Sequence, residues 1–458
     1  MKLIHLSDLH LGKRVNAFSM LEDQHFILQE ILEKIDGFEP APCAVLISGD
    51  IYDKPVPPAE AVRLFDWFLT QLSSRGLQVF VISGNHDSAD RIAFGSSLMA
   101  KSGVHMSPVC DGTMRPVTLS DEDGPVDIWM LPFLRPADVR RFFAEKDSSD
   151  SIEGSSKTEQ AEENPDTGRN EQSGFVGSVS ACNDSEKSEG RFAETPASGN
   201  IEKAEVKASS AQQIRSYTDA VRAALSRAQL NPSHRNVLLA HQFVTGAVQS
   251  KSEDASVGGL DNVDADVFRG FDYVALGHIH RPQNMSSGNT PGMPLVRYCG
   301  TPLKYSFSEA KDQKSMTLVT LGRKDPEKND PACTYVRTES IPLVPLRDMR
   351  EIRGSYNDIT FRGNYAGTNT EDYVHITLTD EQEIPNVLGR LRAIYPNVMA
   401  IDYDNERTRN KAHLEAAKTL EKTPLELFSE FYKAQNGAEM SAEQKAYVEK
   451  IMEEISET

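Results

Sequence analysis

A layered α/β fold is what the first 330 residues predict, and three observations carry that expectation. Short apolar runs alternate with amphipathic stretches of helical period; each apolar run closes on a small polar cluster; and the same grammar resumes after a long acidic interruption. With 458 residues, 39% of them hydrophobic, the chain is long enough for two or three domains and for at least one large core.

The elements follow in order. "KLIHLSD" reads as a strand, the spacing predicts a helix from Asp23 to Lys34, and "CAVLISGD" is a second strand. A helix is expected from Pro58 to Ser73, then "QVFVISGNHD" as a third strand. Beyond the acidic stretch come a helix near Ile214 to Ala228 and the strands "NVLLAHQ" and "DYVALGHIH". Such alternation places ligands at the carboxyl ends of the strands. Residues 1–335 are therefore expected to form one domain interrupted by a loop. "YVHITLTD", a helix near Ile384 to Ala393 and "VMAIDYD" suggest a small α+β unit over 340–407. Residues 411–458, with Leu425, Leu427, Phe428, Phe431, Tyr432, Tyr447, Ile451 and Ile455 at helical spacing, read as amphipathic helices that pack on their own domain or on a partner.

Composition excludes several classes. The five cysteines (Cys43, Cys110, Cys182, Cys299, Cys333) form no C-x-x-C pair, so neither a disulfide framework nor a cysteine zinc site is indicated. The chain opens on a strand with no basic leader, and no apolar run approaches a membrane span, so a soluble cytoplasmic protein is expected. The formal net charge is −19. Between Glu145 and Ser210 lie 15 acidic and 7 basic residues among Ser, Gly and Asn, which reads as a disordered insertion. The remainder is still acidic, so any nucleic-acid surface must be a local patch.

Chemistry concentrates at the strand ends: Asp8 and His10 in "DLH", Asp50 in "GD", Asn85, His86 and Asp87 in "GNHD", His241 in "AHQ", His278 and His280 in "GHIH". Five of the 11 histidines fall there, beside carboxylates and an amide, the donors that suit hard or borderline divalent cations. Asp-x-His on one strand end would point both side chains the same way, and "GHIH" repeats the spacing. Asp50 is placed to bridge two ions, Asn85 adds a neutral oxygen that leaves net positive charge for a phosphate, and Gly84 lets backbone approach closely. Singly, a histidine at a strand end is usually structural and "GD" is commonly a turn. It is the ordered set that points to metal. His5, His25, His105, His234, His375 and His413 lie outside it and are read as structural or surface residues.

The series D-x-H, G-D, G-N-H-D, H, G-H-x-H resembles that of the calcineurin-like metallophosphoesterases. "HLSDLHLGK", "SGDIYDKPVPP", "PFLRP", "ALGHIHRPQ" and "YCGTPLKYSF" resemble the nucleases within that superfamily, over nearly all the chain outside the insertion. The resemblance implies a four-layer α/β/β/α sandwich with a small capping domain and C-terminal helices that contact a coiled-coil ATPase. It implies two divalent cations, Mn²⁺ rather than Mg²⁺, one held by Asp8, His10, Asp50 and His280, the other by Asp50, Asn85, His241 and His278. It implies in-line hydrolysis of DNA phosphodiesters, with His86 assisting the leaving oxygen and Asp87 orienting it. A homodimer contact through the helix from Pro58 is also implied, against burial of Val62, Leu64, Phe65, Phe68 and Leu72 in their own core. Asp53 is either a partner of His86 or a solvated carboxylate; Arg135 and Arg281 either touch DNA phosphates or are ordinary surface arginines.

Two other readings use the same residues. One is a phosphomonoesterase, although Lys54 and Pro55 stand where protein phosphatases carry Arg-Gly; the other is a silent scaffold for the ATPase. No G-x-x-x-x-G-K-[ST] loop occurs, so ATP dependence would come from another chain.

Overall fold

Two mixed six-stranded sheets stack face to face, and alternation along their strands explains why. In the computed structural model, which describes residues 1–141, 214–250, 252–253, 261–285, 292–324, 335–406, 408, 424–436 and 439–456, the first sheet has the order Val336–Pro342, Ser315–Leu321, Lys2–Leu6, Ala44–Ser48, Gln78–Ile82, Val104–Met106. Its last four strands are parallel and its first two antiparallel. The second has the order Gln283–Asn284, Leu295–Tyr298, Tyr273–Gly277, Arg235–His241, Gly124–Leu131, Val117–Asp121, with the middle four parallel. The insertion between Glu145 and Ser210 lies outside the described residues, as do Cys182, Cys333 and His413.

Residues two apart on each strand share a face. Leu46, Phe80, Ile128, Val237, Leu239, Tyr273 and Val319 point inward and form the core between the sheets. The alternate residues Val45, Ile47, Val79 and Val81 face outward, against the helices Leu21–Asp36 and Ala59–Ser74. On the other side Trp129, Leu238, Val274 and Leu276 face the helix Tyr217–Leu225, whose start is fixed by a capping box between Ser216 and Asp219. The result is helix, sheet, sheet, helix. Strands this uniformly apolar are those of sheets covered on both faces.

The helix Ala59–Ser74 buries Ala61, Phe65, Phe68, Leu69 and Leu72, packs Leu64 and Trp67 partly, and leaves Val62 exposed. Most of its apolar surface is thus satisfied within its own core.

The edge strand Val336–Pro342 carries the first sheet past residue 335. A separate unit follows, a parallel sheet of Met349–Gly354, Tyr373–Leu378 and Val398–Tyr403 with its own core of Ile359, Val374, Ile376, Leu391 and Val398. It docks on the sandwich through Met349 and Tyr373, the Tyr373 hydroxyl donating to Asp23 (2.7 Å) and Arg347 pairing with the same carboxylate (2.9 Å). Its helix Val387–Arg392 is shorter than the sequence suggests, because Asn386 before it is left-handed (φ 50°). Two helices, Pro424–Asn436 and Ala442–Ser456, complete the described chain, with Phe431 and Tyr447 exposed. No described helix is long and apolar enough to cross a membrane.

Candidate metal centre

The carboxyl ends of Lys2–Leu6, Ala44–Ser48 and Gln78–Ile82 in the first sheet meet those of Arg235–His241 and Tyr273–Gly277 in the second. Several of the loops that leave these strands turn sharply. Asp8, His10 and Asp50 have φ of 53°, 45° and 50°, and His278 has 100°. Left-handed backbone at a residue other than glycine costs about 1–3 kcal/mol and gathers at functional sites. Asp8 and His10 therefore converge because the loop bends, not because two strand residues share a face: both lie past the strand, which ends at Leu6. His278 and His280 likewise follow their strand's end at Gly277.

The bent loops are laced together by main chain. Asp8 N–H donates to the Gly49 carbonyl (3.0 Å), His10 N–H to that of Asp50 (2.9 Å) and Leu11 N–H to that of Ile51 (2.9 Å). Asp87 accepts from the amides of Ile51, Tyr52 and Gly84, each at 2.9–3.0 Å. Its carboxylate thus ties the second and third loops together. Burial, and the nearby Asp50 carboxylate, raise the Asp87 carboxyl above the usual range.

Donor atoms then fall into three overlapping groups within 4.8 Å: Asp8, His10 and His280; Asp8, Asp50 and His241; His10, Asp50 and His86. His10 Nε2 faces His280 Nε2 at 3.1 Å, and Asp50 Oδ2 lies 3.7 Å from His10 Nε2 and 3.5 Å from His241 Nε2. Asn85 Oδ1 sits 3.0 Å from both His241 Nε2 and His278 Nδ1. All seven residues expected to ligate, Asp8, His10, Asp50, Asn85, His241, His278 and His280, are drawn into one place, with Asp50 between the two ends. Only Asn85 and His86 are more than marginally open to solvent.

The electrostatics fit cations. Burial pushes the Asp8 carboxyl up and would do the same to Asp50, but His241, His10 and His86 outweigh it and hold Asp50 far below the usual range. Burial would lower His241, yet Asp50 and Asp8 lift it to about 9. Burial holds His278 down at about 3, and His10 well below its usual value, so both offer lone pairs. A buried negative pocket compensated by a proton on one imidazole, with two neutral ring nitrogens facing each other, is a donor set a divalent cation satisfies.

Two glycines make close approach at the centre possible, Gly277 between the sheets and Gly84 between neighbouring loops of the first sheet. A Cβ on Gly277 would lie 1.9 Å from the Ser48 carbonyl and 2.7 Å from His241 Nδ1; one on Gly84 would lie 2.1 Å from Asp50 Oδ1. Close approach is thus confirmed for Gly84, and Gly277 is its equal on the second sheet.

Several partners of the donors are residues the sequence did not single out. His241 Nδ1 donates to the Ser48 carbonyl (2.8 Å), leaving Nε2 to face Asp50. His280 Nδ1 meets Ser252 Oγ at 2.7 Å; Ser252 in turn bonds the buried Glu309, whose other oxygen pairs with buried Lys314 (2.6 Å). Glu253 accepts from His280 N–H (2.6 Å). Gln24 Nε2 donates to the His10 carbonyl (2.8 Å). Such partners fix ring orientation and ligand basicity.

The remaining expected residues are placed differently. His86 Nδ1 donates to the main-chain carbonyl of Asp53 (3.1 Å), so it is the Asp53 backbone that orients the ring. The Asp53 carboxylate instead pairs with Lys13 (2.7 Å), 3.9 Å from His10 Nδ1. Arg281 bonds Asp312 through Nε (3.1 Å) and Nη2 (2.5 Å), and Arg135 lies over the Phe133 ring at 5.8 Å.

Residues 1–158 match the family model for calcineurin-like phosphoesterases, and residues 345–436 match that for the type 5 capsule protein repressor C-terminal domain. The chain is 26% identical to the D subunit of nuclease SbcCD from Staphylococcus saprophyticus over 462 positions, covering 100% of this chain and 99% of that one. It is 25% identical to the protein of the same name from Staphylococcus epidermidis, covering 99% and 98%. The chain thus carries a calcineurin-like phosphoesterase match over its first 158 residues and is similar along its whole length to the D subunits of SbcCD nucleases, findings that support a metal-dependent hydrolase of the nuclease kind.

Proposed function

We propose that the chain cuts DNA phosphodiesters at a two-cation centre, as an exonuclease on duplex ends and an endonuclease on single strands and hairpins. One observation carries this reading: four buried imidazoles, two carboxylates and an amide oxygen converge from two sheets on one partly open place, with Asp50 between the ends. Asp8, His10, Asp50 and His280 would hold one cation, and Asp50, Asn85, His241 and His278 the other. When bound, a pair of divalent cations, Mn²⁺ in preference to Mg²⁺, activates water for in-line attack and neutralises charge developing on the phosphoryl oxygens.

The protein's own groups do the rest. Asp50, flanked by imidazoles, stays ionised and keeps both halves of the centre together. His86, half open to solvent and oriented by the Asp53 carbonyl, lies where it can contact the scissile phosphate and give a proton to the leaving oxygen. Lys13, paired with Asp53, adds positive charge beside it.

The SbcCD name of the relatives supports a complex with a second subunit; we propose that this is an SbcC-type coiled-coil ATPase, and that the chain acts as a homodimer in the cytoplasm in DNA repair, recombination and replication. Within residues 411–458, the helices Pro424–Asn436 and Ala442–Ser456, with Leu427, Phe428, Phe431, Tyr447 and Ile451 exposed, suit the ATPase contact. The domain limits we assign are 1–335, extended to Pro342 by the edge strand, and from there to 407 for the cap.

End-labelled duplex and hairpin DNA, incubated with the purified chain in Mn²⁺, tests the reading, beside His86→Ala and p-nitrophenyl phosphate. DNA cleavage by wild type, lost in His86→Ala with metal still bound, is expected. Hydrolysis of the monoester alone would make the protein a phosphomonoesterase, and wild-type turnover in His86→Ala would remove its proposed role.

A further inference from the structure

Beside the metal centre lies an open cavity of about 490 Å³ that none of the proposed chemistry uses. Its inner wall is Phe133, just past the strand Gly124–Leu131. The Phe133 N–H donates to the Ser83 carbonyl (2.9 Å), next to the Gly84–Asn85–His86 turn, and its ring stands edge-on to His241 at 6.2 Å. Ala89, three residues after His86, lines the same space. The cavity is therefore fastened to both arms of the site, the His86 loop and the His241 strand.

Its chemistry is that of a base, not of a phosphate. Val109, Pro132, Leu134 and Phe133 make an apolar and aromatic lining, and the carboxylates of Asp111 and Asp138 stand at an exposed rim. Arg141 shares that rim and Arg135 lies over the Phe133 ring at 5.8 Å, so two cations balance the two carboxylates. With no excess of positive charge and a mostly apolar lining the cavity is not built for a phosphate, while its carboxylates accept hydrogen bonds from exocyclic amino and ring imino groups. The volume lies within the usual range of small-ligand sites, about 300–1,000 Å³. A nucleobase is joined to its phosphate through a single sugar, so a base lodged against Phe133 leaves that phosphate one ring away, at the centre.

We propose that this cavity takes the nucleobase next to the scissile phosphodiester, stacked on Phe133 and unpaired. A paired base cannot enter: its faces are covered by its neighbours and its edge by its partner, so it has to leave the helix first. Phe133 is then a specificity residue, favouring ends, loops and single strands over continuous duplex. The inference rests on the nuclease reading and narrows its substrate.

The test uses the full chain loaded with Mn²⁺ and three substrates: single-stranded DNA, the same strand with one abasic position, and bis(p-nitrophenyl) phosphate, which has no base. Wild type should cut beside a normal nucleotide roughly tenfold faster than beside the abasic one, in keeping with base–aromatic stacking. In Phe133→Leu that preference should disappear, and the loss on DNA should exceed the loss on the small diester roughly tenfold. Val109→Trp fills the cavity from another residue of its lining and should show the same selective loss. Equal cutting of normal and abasic DNA by wild type would overturn the inference. So would equal losses on DNA and diester in Phe133→Leu, which would mean the ring only packs against His241. Diester hydrolysis with no cleavage of any DNA would instead bring down the nuclease reading itself.

Discussion

The two sheets equip the centre in opposite ways. The first supplies Asp8, Asp50, Asn85 and one imidazole, His10; the second supplies only imidazoles, His241, His278 and His280. Both ligand carboxylates and three of the site's four left-handed residues are on the first side. Its loops hold one another by main-chain bonds and Asp87, whereas the second sheet's rings are aimed by partners, Ser48 for His241 and the Ser252–Glu309 pair for His280. The carboxylates are thus set by a strained backbone and the second sheet's rings by outer hydrogen bonds. Neither sheet holds a complete set, so the centre depends on the packing that brings the sheets face to face.

Four changes break or sharpen that contrast. Asp50→Asn removes the charge shared by both ends, and activity is expected to fall more than about a thousandfold, beyond the 10–100-fold typical of an outer partner. Metal content by mass spectrometry should drop with it; two ions retained would show that Asp50 does not join them. Gly277→Ala pushes a methyl into the Ser48 carbonyl and should cost about 3 kcal/mol in denaturant unfolding, the upper part of the overpacking range. An unchanged midpoint would mean that the strand ends have room to part. Ser252→Ala removes the hydroxyl between His280 and Glu309, leaving only their 3.7 Å pairing, while the Glu309–Lys314 pair stays whole. Metal affinity, titrated calorimetrically, is expected to weaken about tenfold without loss of fold; undiminished affinity would remove the distinction between the sheets. Tyr373→Phe lies outside the contrast altogether. It deletes one hydrogen bond to Asp23 and should lower stability by about 1 kcal/mol with metal content intact, and altered metal content would tie the cap to the centre.

Much of the contrast is legible in the amino-acid order itself. Strands buried on both faces write themselves as continuous apolar runs, which is why "AVLIS" and "QVFVI" are readable, and polar residues closing such runs stand out. The strands Val336–Pro342 and Met349–Gly354 do not stand out, because they leave most of their residues open and read as "VRTESIP" and "MREIRG". Among site residues the ligands are legible as types at strand ends, but how they converge is not: Asp8 and His10 meet through left-handed turns that spacing cannot show. Glu309 and Ser252 are invisible for another reason. They lie 29 and 28 residues from His280, and a buried carboxylate looks in sequence like any surface one.

The helix Leu21–Asp36 carries at adjacent positions the two side chains that join the cap to the centre. Asp23 grips Arg347 and Tyr373, while Gln24 grips the carbonyls of Leu9 and His10. That helical turn is therefore one mechanical link between the cap and the first sheet's ligand loop, beside the Lys304–Asp348 and Glu30–Val344 contacts. Part of any pull on the cap reaches the backbone of His10 through it, and the stiffness of the turn sets how much.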